Sequence, residues 1–416
     1  MLKLRRATVL EASDPPAAGG EQQLTVVLTS PEQAHPAHAQ PAAERAAIAD
    51  TGLVGECRAG DEVIVNVEAL DLGLGSGGFD IVHANLTRGL AAAGAAGRNV
   101  MKLNYTSLQH TVRPVEGESE LRVPLERPVA VLALHGQLAP VAWAFAAARP
   151  GGRLGYVQTA GGALPGRHSR AVAELRARGL LAGHITAGAS FGGEQEAVST
   201  AGAIHHGLRE LGWDAAVCGP GPGIVGSASR LGHGGMAALD SGHAALALGC
   251  PTVLVARLSS GDSRERHRGI SHHTITVLDL LLEPVTVALP AGMRSPVGAE
   301  LRAGLGAAFG RHASERPGLP LQAERPARIA RHDWRRAGVD LPGYAASGLP
   351  ATTMGRGLAE DPLFFGAALA GGAALGELTA ASEREGWPAP EEGGDRAGEA
   401  PHENGAALGE NGSEAA

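Results

Sequence analysis

The densest group of residues that could do chemistry is the segment RLSSGDSRERHRGISHHT, residues 257–274. It holds three histidines, the acids Asp262 and Glu265, and four arginines, which are Arg257, Arg264, Arg266 and Arg268. Arginine binds phosphate and carboxylate groups through two parallel hydrogen bonds, and histidine transfers protons near neutral pH. The segment therefore predicts that its arginines hold an anionic ligand. The alternative is a solvated face, which is the usual role of a charge run.

The histidines at the end of this segment are the candidate general acid or base. Either His272 or His273 would transfer the proton, and either Asp262 or Asp240 would orient the imidazole. Hydrolysis or group transfer on a small anionic metabolite is the chemistry that this combination favours.

A glycine-rich loop precedes the arginine segment. The sequence GPGPGIVG, residues 219–226, contains G-x-G-x-x-G at Gly221, Gly223 and Gly226. We expect it to join a strand to a helix, so that backbone N–H groups and the positive end of the helix dipole face an anion. A dinucleotide is disfavoured because Pro222 lacks an N–H group and the next strand ends in Arg257 rather than an acid. A purely structural turn is the alternative.

A second hypothesis is a metal site just after this loop. If a helix begins at Gly235, Asp240 and His243 share one face of it, and His233 lies one or two turns upstream. Imidazole and carboxylate ligands suit zinc, manganese or iron, which would make the protein a metal-dependent hydrolase. The alternative is a hydrogen-bonded pair of Asp240 and His243 that has only a structural role.

Composition excludes several classes of function. The net charge of -8 comes mostly from the C-terminal residues, because residues 381–416 contain nine acids and two arginines. The remaining chain is nearly neutral, and it contains few aromatic residues for base stacking, so neither nucleic acid nor a membrane is an expected partner. Lys3 and Lys102 are the only lysines, and neither belongs to a phosphate-binding loop motif. The sequence identifies no cofactor.

The first 125 residues are predicted to form a small β barrel or sandwich. Short apolar segments at residues 3–10, 22–28, 61–70 and 79–84 are separated by Gly, Pro and Asp. Residues 30–47 are rich in Ala, Pro and Gln and are predicted to be a loop.

Residues 126–382 are predicted to form a Rossmann-like α/β domain that ends in a docking segment. Apolar segments at residues 129–136, 152–159, 183–190, 214–221, 251–258 and 285–290 alternate with helix-length segments. This pattern indicates a mostly parallel sheet with helices on both faces. Ligands bind beyond the carboxyl ends of such strands, which brings His135 into the predicted ligand site. Helices are also expected at residues 300–310 and after Asp361, and residues 383–416 are predicted to be a disordered acidic tail.

Three segments resemble those of a bacterial family known as domain of unknown function number 3866. They are GPGIVG, RERHRGISHHT and MGR followed by EDPLFF, and the resemblance runs from the N-terminal strands through Phe365. The resemblance implies that the β unit and the α/β unit belong to one protein and are not a chance fusion. It assigns no catalytic residue.

The leading hypothesis is a cytoplasmic α/β enzyme, a hydrolase or group transferase, that binds a small anionic metabolite between the two loops. The chain begins without the apolar core of a signal peptide, which supports the cytoplasm. Besides the metal-dependent hydrolase, a non-catalytic ligand-sensing or scaffold protein remains an alternative, because enzymes and sensors share folds. A homodimer is the default oligomer.

Overall fold

The computed structural model describes residues 2–15, 20–29, 44–73, 78–91, 100–117, 120–163, 165–292 and 325–384. The helix predicted at residues 300–310 and the acidic tail beyond Arg384 lie outside these ranges. The predicted division of the chain at residue 126 stays a prediction.

The N-terminal residues form a closed five-stranded barrel, which confirms the predicted β unit. The strands are β1 (Leu4–Ala12), β2 (Glu21–Leu28), β3 (Glu44–Asp50), β4 (Glu62–Asn66) and β5 (Asp80–Asn85). They pair in the order β1-β2-β3-β5-β4, and only β3 and β5 run parallel. Two short helices, α1 (Thr51–Val54) and α2 (Glu68–Asp71), lie in the connections. Alternate residues such as Val9, Val26 and Val63 fill the interior.

Strand β3 corrects the loop predicted at residues 30–47, of which residues 30–43 are not described. The strand begins at Glu44 and pairs with β2 over seven residues. Its inward residues include Ala47 and Ala49, which are small enough for the narrow barrel interior. Alanine gives no strand signal in a sequence, so composition concealed this strand.

A second, eight-stranded sheet follows, and its described strand pairs are all parallel. Before it, β6 (Val100–Lys102) and β7 (His110–Val112) pair with each other. The strands of the sheet are β8 (Val129–Val131), β9 (Leu154–Thr159), β10 (Gly183–Ala187), β11 (Gln195–Ala197), β12 (Ala215–Pro220), β13 (Thr252–Leu254), β16 (Thr286–Pro290) and β17 (Asp333–Ala337). Their order is β11-β10-β9-β12-β8-β13-β16-β17. Two further pairs, β14 (Leu258–Ser259) with β15 (Gly269–Ile270) and β18 (Thr352–Thr353) with β19 (Arg356–Gly357), lie outside it.

Helices cover both faces of this sheet, as predicted. They are α3 (Leu138–Ala148), α4 (Arg170–Ala177), α5 (Thr200–Arg209), α6 (Ala237–Ala247), α7 (His272–Leu280), α8 (Arg325–Ala330), α9 (Leu341–Ala346) and α10 (Pro362–Arg384). Residues of β8 and its end alternate between the two faces: Val129 and Val131 belong to the core on the side of α5, α6 and α7, whereas Ala130 and Leu132 belong to the core on the side of α3 and α10. Strands that are buried on both faces explain the continuous apolar segments of the sequence.

Helix α10 is long and apolar, and Pro362–Ser382 meets the length and composition of a membrane span. However, 72% of its apolar window is buried, and it packs against α3 and β16. It is therefore consistent with the core helix of a soluble protein.

Trp213 shows how closely the layers approach. Its side chain is fully buried, and a Cβ atom added to Gly155 or Gly207 would overlap the indole ring. The glycines on β9 and α5 therefore make room for this ring between sheet and helix.

Candidate functional site

A cavity of about 560 Å³ opens at the carboxyl ends of the central strands β12, β8 and β13. The connection from β8 runs toward the β11 edge of the sheet, to β9, whereas the connection from β12 runs toward the β17 edge, to β13. The cavity therefore lies where the direction of the connections reverses, which is where ligands bind in open parallel sheets. It is called the central cleft below. Its walls are the turn after β8, the loop after β12, the segment after β13 and the start of the β18–β19 hairpin. The lining residues are Leu134, His135, Gly136, Pro222, Gly223, Ile224, Val225, Gly226, Ser227, His233, Arg257, Arg264, Arg266, His267, His273, Thr352, Thr353 and Met354.

The glycine-rich loop forms one wall of the cleft, but it does not begin a helix as predicted. Helix α6 begins only at Ala237, after a 3-10 turn. The hydroxyls of Ser227 and Ser229 accept hydrogen bonds from backbone N–H groups between them and the helix, and such bonds compete with helix formation. A helix dipole is therefore not what would attract an anion here.

The glycines of this loop have different roles. Gly223 lines the cleft and has a φ of 84°, in the left-handed region that favours glycine. Gly226 also lines the cleft and bridges to His233 in an antiparallel pair. Gly221 lies outside the lining, where an added Cβ would overlap the side chain of Gln158.

Asp262 lies at the centre of an arginine network in the opposite wall. Its carboxylate accepts two hydrogen bonds from Arg264, at 2.9 and 2.8 Å, and one each from Arg257 and Arg356 at 3.3 Å. Burial alone would raise the pKa of Asp262, but the hydrogen bonds and charge of Arg264 hold it well below its usual value. Burial lowers the pKa of Arg257 to about 10, against the opposing charge of Asp262. Asp262 therefore positions arginines, and among the described residues it makes no hydrogen bond to a histidine.

The C-terminal hairpin completes this wall. Asp361 accepts from Ser259 Oγ at 2.6 Å, from the backbone N–H of Ser260 at 2.8 Å and from Arg356 Nε at 3.1 Å. These bonds dock residues that lie about a hundred positions downstream onto the arginine segment. The sequence did not predict the pairing of Arg356 with Asp262 or the hydrogen bonds of Asp361, because spacing along the chain does not show contacts between distant segments.

Four imidazoles pack together beside the arginines. His233 stacks on His273 with ring centroids 3.3 Å apart, and the rings of His272 and His267 lie 4.4 and 4.8 Å from that of His273. This group is called the imidazole cluster below. Burial lowers the pKa of His267 to about 3 and that of His272 to about 4, and it lowers the pKa of His273 further. Burial therefore favours the neutral form of all three rings, which has one nitrogen lone pair.

Hydrogen bonds in the cluster leave some ring nitrogens without a partner. His233 Nε2 lies 3.0 Å from the carbonyl of Arg230 and donates to it, so its Nδ1 carries the lone pair. That Nδ1 and the Nε2 of His272 are buried and have no hydrogen-bond partner among the described residues. Arg257 donates to His273 Nδ1 at 3.0 Å. The Nε of Arg266 is also buried and has no hydrogen-bond partner among the described residues.

Other predicted site residues lie elsewhere or have other contacts. Arg268 is exposed and donates to the backbone carbonyl of Asp262, outside the cleft lining. Asp240 is exposed on α6, and His243 Nε2 accepts from the backbone N–H of Leu282, so the structure does not bring this pair to His233. His135 does line the cleft, and its Nε2 lies 2.8 Å from Ser169 Oγ.

Comparison with known proteins gives one match. A family model described as "Protein of unknown function (DUF3866)" matches residues 46–372, from within β3 to within α10. This confirms the resemblance predicted from the three sequence segments, all of which lie in the matched region. No curated protein and no solved structure matches the chain.

Proposed function

The chain belongs to the DUF3866 family, described as proteins of unknown function, and from the chemistry of its cleft we propose that it is an enzyme that binds a small anionic metabolite. Three arginines line the central cleft, and none of its described lining residues is an acid. This observation carries the proposal, because an uncompensated guanidinium in a cleft favours a phosphate or carboxylate group. Of the two, a phosphate ester is the ligand class to test first.

Arg266 is the strongest ligand-binding candidate. Arg257 and Arg264 already donate to Asp262, although the Nε of Arg257 is unpartnered, whereas Arg266 donates to no acceptor among the described residues and its Nε is buried. A buried charged donor without an acceptor is costly, and an anionic ligand would remove that cost. The loop from Gly223 to Gly226 lies in the facing wall, where glycine lets a ligand approach the backbone closely.

The imidazole cluster supplies the reacting end of the cleft. His233 lies in the cleft wall, and its buried Nδ1 has a lone pair and no hydrogen-bond partner in the part of the chain that the structure describes. In hydrolysis, the oxygen of water bonds to the phosphorus as the bond to the leaving oxygen breaks. The proton of the water passes to His233, the leaving oxygen takes a proton from bulk water, and His233 then releases its proton to solvent. Group transfer to an alcohol follows the same proton movements.

The test is a thermal-shift panel on the full chain with orthophosphate, nucleotides, sugar phosphates and carboxylates. A ligand at 100 times its Kd adds about 2.7 kcal/mol to the folded state, which shifts the transition measurably. We expect phosphate compounds to stabilise the wild type and Arg266→Gln to lose this effect. Arg335→Gln is the matched control, because Arg335 is half-exposed on β17 and, among the described residues, pairs only with the nearby Asp333.

Two results would contradict the proposal. If no anion stabilises the wild type, or if Arg266→Gln keeps the full shift, the cleft is not an anion site.

A second experiment tests for catalysis. Compounds that stabilise the chain are assayed for turnover, and His233→Gln is expected to lose activity and keep binding. Binding without turnover of any compound would favour the ligand-sensing alternative over an enzyme in the cytoplasm.

A further inference from the structure

Three imidazoles of the cluster are close enough to share one metal ion. His267, His272 and His273 are all buried, and each offers a ring nitrogen within 4.8 Å of those of the other two. The short segment between them explains this approach. His267 ends a 3-10 turn, Gly269 and Ile270 pair with β14, and Ser271 caps α7, so the first turn of the helix returns His272 and His273 to His267.

The spacing compares well with a tetrahedral site. Zinc–nitrogen bonds of about 2.0–2.1 Å place two ligand nitrogens about 3.4 Å apart in a tetrahedron. The observed upper limit of 4.8 Å exceeds this by about 1.4 Å, which rotations of the side-chain torsions can close. Among the described residues, no other group of histidines, cysteines and acids meets the same distance limit.

The hydrogen bonds of the three rings also suit metal ligands. His267 Nδ1 lies 2.8 Å from Ser271 Oγ, which can accept its proton and so leave the Nε2 lone pair for an ion. His272 Nε2 is buried with no partner among the described residues. His273 Nδ1 accepts a hydrogen bond from Arg257. If His273 instead used that lone pair to bind an ion, Arg257 would lose this acceptor but would still donate to Asp262 Oδ2, at 3.3 Å.

We propose that His267, His272 and His273 together bind a divalent transition-metal ion, with zinc the first candidate. Three imidazoles are the ligand set of one class of catalytic zinc site, in which a fourth position stays open to water or substrate. His267 and His273 line the central cleft, so an ion held by them would lie at the cleft wall. Asp262 offsets the charge of Arg257, and Asp361 offsets that of Arg356. His233 then remains as the imidazole that accepts a proton.

The role of this metal in catalysis rests on the proposed function, but its binding can be tested alone. A bound ion would polarise a phosphate oxygen and activate water. The ligand set also differs from that of the earlier metal hypothesis, because Asp240 and His243 take no part.

The experiment measures metal binding by the full chain. After purification without added ions, zinc is measured by elemental analysis, and the chelator-treated chain is titrated with Co²⁺ while visible d–d absorption is recorded. We expect one equivalent of metal per chain. His272→Ala should weaken binding more than about tenfold, the lower limit for loss of even a supporting residue. His243→Ala is the matched control and should bind like the wild type.

His272→Gln provides a second variant that keeps volume and polarity if the alanine variant does not fold. No stoichiometric metal and no Co²⁺ spectrum in the wild type would overturn the proposal, and so would equal binding by His272→Gln and the wild type. A spectrum lost equally in His243→Ala would also overturn it. Orthophosphate binding by the chelator-treated chain is measured separately, so that failure of the metal site and failure of the anion site are distinguishable.

Discussion

Replacing Asp262 by asparagine tests how the cleft is held in shape. The Asp262 carboxylate pairs with three arginine side chains that differ in exposure, at 3% for Arg257, 18% for Arg356 and 44% for Arg264. The exposed Arg264 pair contributes under about 1 kcal/mol. Neutralising the partner of a buried charge costs about 3–5 kcal/mol. Because asparagine keeps one hydrogen-bond acceptor, we expect Asp262→Asn to lower the free energy of unfolding by about 3 kcal/mol, mostly through Arg257.

The assay is urea unfolding of the full chain at several pH values. The pKa of Asp262 is held well below its usual value, so its contribution is present above that usual value and is lost only as pH falls through the folded-state pKa. The difference between the wild type and Asp262→Asn should therefore be constant between about pH 8 and pH 5. Asp333→Asn, which breaks an ion pair of two half-exposed partners, should cost under about 1 kcal/mol.

A loss below about 1 kcal/mol for Asp262→Asn would refute this reasoning, since it would mean that Arg257 finds another acceptor. A difference that shrinks steadily between about pH 8 and pH 5 would also refute it, because the carboxylate would then titrate near its usual pKa.

Two further predictions concern the rest of the fold. Trp213→Ala should lower the free energy of unfolding by about 3–5 kcal/mol, and Gly155→Ala should also destabilise because its Cβ would overlap the indole; unfolding curves that match the wild type would contradict this packing. In the barrel, hydrogen bonds from Arg88 hold the pKa of Asp61 at about 2, so stability should fall as pH drops from about 4 toward 2. Asp61→Asn should flatten that fall in acid unfolding curves, and a wild type with no such fall would contradict the pairing.

The sequence predicted the sheet well wherever strands are buried on both faces. Strands such as β9 and β12 are continuous apolar segments because every residue in them is buried. It missed β11 and β17, which lie at the two edges of the sheet. Edge strands are short or polar, as in β17 with the sequence DWRRA. Pairing with the neighbouring strand, and not the local sequence pattern, therefore determines whether such segments form strands.

The candidate site was predictable in its residue types but not in their pairing. The cleft contains Arg266, His273 and the loop around Gly223, all of which the sequence analysis had selected as candidates. However, Asp262 pairs with arginines, and the glycine-rich loop does not begin a helix but continues to His233, which packs in the imidazole cluster. Contacts between distant segments depend on the topology, which composition and spacing do not determine.

The most direct test of the anion site is a crystal structure of the full chain with tungstate, a phosphate analogue whose anomalous scattering locates it without ambiguity. The proposal predicts one anomalous peak in the central cleft, with oxygens within about 3.2 Å of Arg266, and no such peak in crystals of Arg266→Gln. A cleft without a peak in the wild type, or a peak that persists in Arg266→Gln, would contradict the account.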